Sequence, residues 1–225
     1  VAEATHRVLV HNGCRVEAPK VRCCGMPNLA MGDREGGLRH ARHNVDALTG
    51  YDAVVTDCGT CGSMLKDYGK LLKDDPEYAE KAAAVAGRVY DIAEFLVKFG
   101  FAEPRRKVQA RVTYHDSCHM AREQKVTAQP RQILKSIPGV SFVEMKGADV
   151  CCGGAGSFAF THPELGRRVG ATKAANIRAT EAEVVATGCP SCSMQISGAL
   201  RRAGVSAALR QPVELLARSY GLMED

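Results

Sequence analysis

Cys151-Cys152-Gly153, answered further along by Cys189-Pro190-Ser191-Cys192, is the stretch from which the rest of the chain can be read. Here 36 residues separate Cys152 from Cys189; earlier in the chain, Cys23-Cys24-Gly25 and Cys58-Gly59-Thr60-Cys61 repeat the pattern with 33 residues between Cys24 and Cys58. A vicinal pair followed by Gly, then a Cys-x-x-Cys at nearly the same distance, makes an internal repeat when it occurs twice. The later copy has a fifth member, Cys118, with 32 residues between it and Cys151.

The repeat extends beyond cysteine. Before each vicinal pair comes a helix-like stretch ending in Gly and then an extended segment: Arg7 to Gly13 with Arg15 to Pro19, against Arg131 to Gly139 with Val140 to Glu144. Before each Cys-x-x-Cys comes a helix-like stretch containing an Asn (Asn44, Asn176) and then a short β-branched run, Ala53 to Thr56 or Glu183 to Thr187. After each comes a helix, and then Ala93-Glu-Phe-Leu96 or Val213-Glu-Leu-Leu216. Short β-rich runs alternating with helix-length segments predict an α/β fold with largely parallel sheets, as two tandem pseudo-symmetric βαβ-type repeats. The expected units are 1–104 and 105–225, joined near Glu103-Pro104. The second opens with a predicted strand, Ala110 to Tyr114, that delivers Cys118. Its counterpart in the first is expected upstream of Val1, with a partner cysteine.

The bulk properties narrow the class. At 225 residues, 45% hydrophobic and 24% charged, the chain can bury a real core. It has no apolar run near the roughly 20 residues that span a bilayer, so no direct membrane insertion is expected. The first residues lack the basic and apolar segments of a secretory signal. A net charge of +5 is spread over scattered pairs such as Arg105-Arg106 and Arg201-Arg202 without interleaved aromatics. That pattern argues against a nucleic-acid partner. Ten cysteines in such a chain read as reduced thiols used as ligands rather than as disulfides.

In each half the thiols are expected at strand–helix turns, at the carboxyl ends of parallel strands. Gly25 and Gly153 let the backbone turn sharply beside a metal. The helix after each Cys-x-x-Cys points its N-terminus at the thiols and favours their ionised form, and Pro190 suits a first-turn position. Cys23, Cys24, Cys58 and Cys61 supply four candidate ligands; Cys118, Cys151, Cys152, Cys189 and Cys192 supply five. A structural zinc wants four ligands in a tetrahedron and remains open for the first set. Five converging thiolates suit a polynuclear iron–sulfur cluster better. Cys14 stands outside the repeat and reads as structural.

His115 and His119 flank Cys118; each reads either as a cluster neighbour or as a residue that shapes the turn. His40 and His43 read as solvated surface, and His6, His11 and His162 carry no signal. Asn44 and Asn176 read as hydrogen-bond partners of the cysteine-bearing loops. Gly153-Gly154-Ala155-Gly156 is neither a P-loop nor a dinucleotide fingerprint, so it reads as a loop that lets backbone approach the metal. No independent catalytic set emerges.

The motifs Tyr114-His-Asp-Ser-Cys118-His119, Cys151-Cys152-Gly-Gly-Ala-Gly156 and Thr187-Gly-Cys189-Pro-Ser-Cys192 resemble the CCG cysteine-rich domain. That domain is found in the catalytic subunit of heterodisulfide reductase and in the iron–sulfur subunits of glycolate and lactate oxidases and of anaerobic glycerol-3-phosphate dehydrogenase. The resemblance implies a non-cubane 4Fe-4S cluster at the second set, and at the first a cluster, zinc or an empty site. It implies an upstream ferredoxin-like domain, a flavoprotein dehydrogenase subunit as partner and a cytoplasmic location, peripheral to the inner face of the membrane through partners. The expected function is electron transfer from a flavin-linked 2-hydroxy-acid dehydrogenase of the lactate or glycolate type toward quinone or another carrier. Two alternatives stay open: a catalytic subunit of the heterodisulfide reductase kind that reduces a disulfide at the cluster, and a zinc-stabilised interaction module.

Overall fold

Val112, Tyr114, Val185 and Ala186 are fully buried, and the strands that carry them form the centre of the larger sheet. The computed structural model describes residues 1–154, 156 and 158–224. The first half runs α1 (Ala2–His11), α2 (Met26–Ala30), α3 (Arg34–Leu48), β1 (Val54–Thr56), α4 (Gly59–Lys66), α5 (Tyr68–Leu71), α6 (Ala79–Ala86), β2 (Val89–Asp91) and α7 (Ile92–Phe99). The second runs β3 (Ala110–Tyr114), a π-helical turn (His119–Glu123), α8 (Ala128–Ser136), β4 (Val140–Phe142), α9 (Phe158–Thr161), α10 (Pro163–Arg178), β5 (Val184–Ala186), α11 (Pro190–Arg202), β6 (Ala208–Arg210) and α12 (Pro212–Ser219).

Every strand pair is parallel. The order is β1-β2 in one sheet and β4-β3-β5-β6 in the other, the α/β arrangement expected from the β-branched runs. Arg15 to Pro19, expected to be extended like Val140 to Glu144, belongs to no strand. β4 is held by β3, whereas β1 pairs with β2 alone, so residues 15–19 have no neighbouring ladder to join.

The last strand of each sheet leads directly into a capped helix. Asp91 with Glu94 closes a capping box on α7, and Gln211 with Glu214 does the same on α12. Each box satisfies backbone donors that would otherwise be orphaned at the helix start. The apolar faces of α7 and α12 meet those of α1 and α8 in one core that draws Ala4, Val8, Leu96, Ile133, Leu215 and Leu216 from both halves. Two further clusters are local, one under α3–α6 and one under α10–α11.

Candidate metal centre

Each Cys-x-x-Cys sits where a strand turns into a helix. Cys58 is the N-cap of α4 and Cys189 the N-cap of α11, with extended backbone at both positions. Cys118 caps the π-helical turn after β3. Each thiol-bearing turn therefore lies at a strand's carboxyl end, with unsatisfied helix N–H groups behind it. The vicinal pairs sit on loops shaped by Gly25 (φ +89°) and Gly153 (φ +88°), a backbone region that L side chains avoid. A Cβ on Gly25 would lie 3.0 Å from the Gly37 carbonyl oxygen, and one on Gly153 only 2.6 Å from that of Gly166. Glycine is required at both on grounds of conformation and of space. Ala155, within the glycine-rich stretch read from the sequence, lies outside the described residues.

All five thiols of the second set line one cavity of about 40 Å³, together with His115, His119 and Thr60. A ring nitrogen of His115 and the sulfurs of Cys152 and Cys192 lie within 4.8 Å of one another. His115 Nδ1 lies 3.0 Å from the Ala148 carbonyl oxygen. A carbonyl can only accept, so Nδ1 carries the proton, and Nε2 is a buried nitrogen without a partner. Cys118 Sγ lies 3.8 Å from His119 Nδ1, and the Gly153 amide donates to Cys151 Sγ at 3.3 Å.

In the first set, Cys24, Cys58 and Cys61 line a separate cavity of about 400 Å³, while Cys23 is exposed. The two sets face each other. Thr60, on α4, reaches both His119 Nδ1 (3.2 Å) and Cys189 Sγ (3.8 Å) across the halves. Gln124 Nε2 donates to the Gly59 carbonyl and Gln211 Nε2 to that of Asp57, each at 2.8 Å. The thiol loops are thereby fastened to one another.

The thiols perturb one another in alternating directions. Cys24 is drawn down to about 6, chiefly by Cys61, which is pushed up in turn. Cys152 is held well below the ordinary thiol range by Cys151 and then Cys192, and Cys189 by Cys192 and then Cys58. Their partners Cys151, Cys192 and Cys58 are all raised. Crowded thiols cannot all ionise beside one another; a bound cation is what lets every one of them lose its proton. The hydrogen bond with His119 lowers Cys118, and the same bond raises His119.

Several residues differ from the sequence reading. His40 and His43, expected on solvated surface, are half-buried; His43 Nε2 lies 3.0 Å from the Lys20 carbonyl oxygen. Asn44 does hold the Cys23 loop, donating to the Cys23 carbonyl at 3.1 Å and accepting from the Arg22 amide at 2.7 Å. Asn176 is not its counterpart: Lys173 donates to the corresponding loop, through the Gly147 carbonyl at 2.7 Å. Thr60 and Lys173 carried no sequence signal. Cys14, as expected, packs on the shared core away from both thiol sets.

Parallel strands, three of which (β1, β3 and β5) end in a thiol-bearing turn, define a cysteine-rich α/β protein. The chain belongs to the CCG cysteine-rich domain family, whose family model matches residues 1–66 and 112–197. It is 37% identical over 212 residues to the "Probable glycolate oxidase iron-sulfur subunit" of Bacillus subtilis, covering 92% of this chain and 48% of that protein. It is 33% identical over 218 residues to "Lactate utilization protein A" of Oceanobacillus iheyensis, covering 96% and 89%. It is also 37% identical over 222 residues to a subunit of the fumarate reductase (CoM/CoB) of Methanothermobacter marburgensis, covering 98% and 43%. The chain thus spans about half the length of the first and third of these relatives.

Proposed function

We propose that this chain is the cluster-binding part of an electron-transfer subunit, serving a flavin-linked dehydrogenase for a 2-hydroxy acid of the lactate or glycolate type. The observation that carries the reading is the convergence of Cys118, Cys151, Cys152, Cys189 and Cys192 on one cavity. Sulfurs on one tetrahedral zinc stand about 3.8 Å apart, given Zn–S bonds of about 2.3 Å. Among the described residues only His115, Cys152 and Cys192 form a metal-sized group, so five thiols lining one cavity suit a polynuclear centre better than a single ion. Relatives named as iron–sulfur and lactate-utilization proteins support the same reading.

In this reading the five thiols hold a 4Fe-4S cluster of non-cubane type, and Cys23, Cys24, Cys58 and Cys61 hold a second metal. The cluster would supply one-electron transfer. The chain's own part is to fix the thiolates, to keep water from Cys152, Cys189 and Cys192, and to set hydrogen bonding through His115, His119 and Thr60. Residues 1–104 and 105–225 would be two copies of the cysteine-rich unit. The counterpart of β3 would lie along the free side of β1, where a cavity of about 850 Å³ lies between Val16 and Val55. No helix among the described residues is long and apolar enough to cross a membrane; a cytoplasmic position, held at the membrane by a flavoprotein and a ferredoxin-like domain, accords with that.

A second reading, disulfide reduction at the cluster, is favoured by one observation: Cys118 and Cys151 are only half-buried at the rim of the cavity. Metal and sulfide content of anaerobically purified protein tests the first reading. About four irons with matching sulfide per filled site support it; stoichiometric zinc without sulfide leaves a structural module and withdraws the redox function. Turnover of a small disulfide by reduced, iron-loaded protein would favour the second reading over relay.

A further inference from the structure

The two glycine turns give a common frame for the halves. Beside Gly25 lie the Gly37 carbonyl and His40 Cβ; beside Gly153 lie the Gly166 carbonyl and Val169 Cβ. Gly37 therefore corresponds to Gly166 and His40 to Val169. Two helical turns after these glycines, on the same helix face, stand Asn44 on α3 and Lys173 on α10. Each is 1% exposed and each holds the loop that carries its own vicinal cysteines. A neutral amide stands in one half and an ammonium in the other.

Lys173 Nζ donates to the Gly147 carbonyl at 2.7 Å and to the Ala148 carbonyl at 3.4 Å. The Ala148 oxygen also receives His115 Nδ1 and the Asp116 amide, each at 3.0 Å. The charge thus sits one carbonyl away from the imidazole that faces Cys152 and Cys192. Among the described residues no carboxylate pairs with Lys173, and Asp116 is already engaged by Arg131. Burial holds Lys173 below the ordinary lysine range, and the negative groups that work against this are Cys152 foremost, then Asp149, Cys151 and Asp116. An ammonium buried without a carboxylate is costly unless other negative charge offsets it. Thiolates on a metal provide that charge.

We infer that Lys173 is a positioning residue whose buried positive charge offsets the thiolates of the second set and makes a cluster there easier to reduce than one at the first set, where Asn44 stands in its place. The inference rests on the iron–sulfur reading. Reduction by one electron adds one negative charge to the centre, and a fixed cation nearby stabilises that state. Electrons entering the pair of centres would then come to rest on the second.

The test uses Lys173→Gln, which keeps an N–H donor and removes the charge, and Lys173→Arg, which keeps the charge. Iron is counted first, and midpoint potentials are then read by redox titration followed by electron paramagnetic resonance. With iron content unchanged, the second centre of Lys173→Gln should become harder to reduce by at least about tenfold in the one-electron equilibrium, about 59 mV. Lys173→Arg should stay close to the wild type. An unchanged potential in iron-replete Lys173→Gln overturns the inference and leaves the iron–sulfur reading standing; absence of iron from the wild type overturns both. Melting curves give a second readout. Without metal, Lys173→Gln should melt above the wild type, and metal should then stabilise it by less. Equal losses with and without metal would show a merely structural lysine and overturn the inference.

Discussion

The amide of Gly59 donates to the carbonyl of Gly188 at 2.9 Å, tying the residue after Cys58 to the residue before Cys189. Met120, 1% exposed, packs against both glycines: a Cβ on Gly188 would lie 2.4 Å from its sulfur, and one on Gly59 2.6 Å from its Cγ. The spacing between the two Cys-x-x-Cys turns is thus set by one thioether and two missing methyl groups.

Gly188→Ala should therefore force Met120 or the Cys189 turn to move. The expected loss is about 1–3 kcal/mol, the usual cost of overpacking, together with reduced metal retention at the second set. Met120 is flexible, so Gly188→Ala combined with Met120→Ala should lose less than the two single losses added together. Denaturant unfolding of the four proteins measures this; strict additivity would show that the glycine and the methionine do not compete for space.

Asp91 gives a pH dependence. One of its oxygens accepts from the Ala93 amide at 2.8 Å; the other, like Gln211 Oε1, is buried without a partner, and both residues line a water-sized cavity of about 10 Å³. Burial pushes the carboxyl up to about 7, against about 3.9 in an unfolded chain. The folded state therefore favours the protonated form. Its contribution to stability is fully present below about pH 4 and is lost as pH rises through the folded value. Asp91→Asn should remove this dependence, so wild type should lose ground to it by a few kcal/mol between about pH 5 and 7 and no further above 8. Parallel curves from pH 5 to 8 would show that the carboxyl titrates normally.

Arg131 clamps the loop ahead of Cys118. It makes paired bonds to Asp116 at 2.8 and 2.7 Å and to Glu144 at 2.8 and 2.7 Å, and its guanidinium lies 5.0 Å from the Tyr114 ring centre. The Asp116 side chain is 6% exposed. Arg131→Met leaves that carboxylate buried without its partner and should cost about 3–5 kcal/mol. Adding Asp116→Asn should recover part of it. Thermal and denaturant unfolding decide between this and a surface pair worth less than about 1 kcal/mol.

The ligand assignment itself is open to direct test. Cys152→Ser or Cys189→Ser should remove the metal of the second set, whereas Cys14→Ser should leave metal content unchanged. Elemental analysis after anaerobic purification reads both. Full iron in the first two, or a deficit in the third, would reassign the ligands.

Much of this was legible in the sequence because strands and thiol turns are local features. The β-branched runs at 54–56, 110–114 and 184–186 became strands, and both Cys-x-x-Cys motifs fell at helix N-termini. What escaped depends on which helix face meets which loop. Matching the halves by residue type paired Asn44 with Asn176; matching them by the glycine contacts pairs Asn44 with Lys173, a residue of different chemistry. Thr60 reaches His119 over 59 positions of sequence, a separation at which spacing carries no information.

The core shared by α1, α7, α8 and α12 has a practical consequence. Ser219 accepts the Arg106 amide through its carbonyl at 2.9 Å and donates its hydroxyl to the Arg106 carbonyl at 2.6 Å. Tyr220 donates to the Ala102 carbonyl at 2.6 Å, and the Ala102 amide donates to Asn12 at the same distance. The connecting segment is laced to both halves, and the apolar surface it bridges is continuous beneath it. A protease that nicks the backbone between Phe101 and Val108 would yield two fragments that co-elute and come apart only on dilution, as a non-covalent heterodimer does, because the covalent link supplies effective concentration rather than contacts.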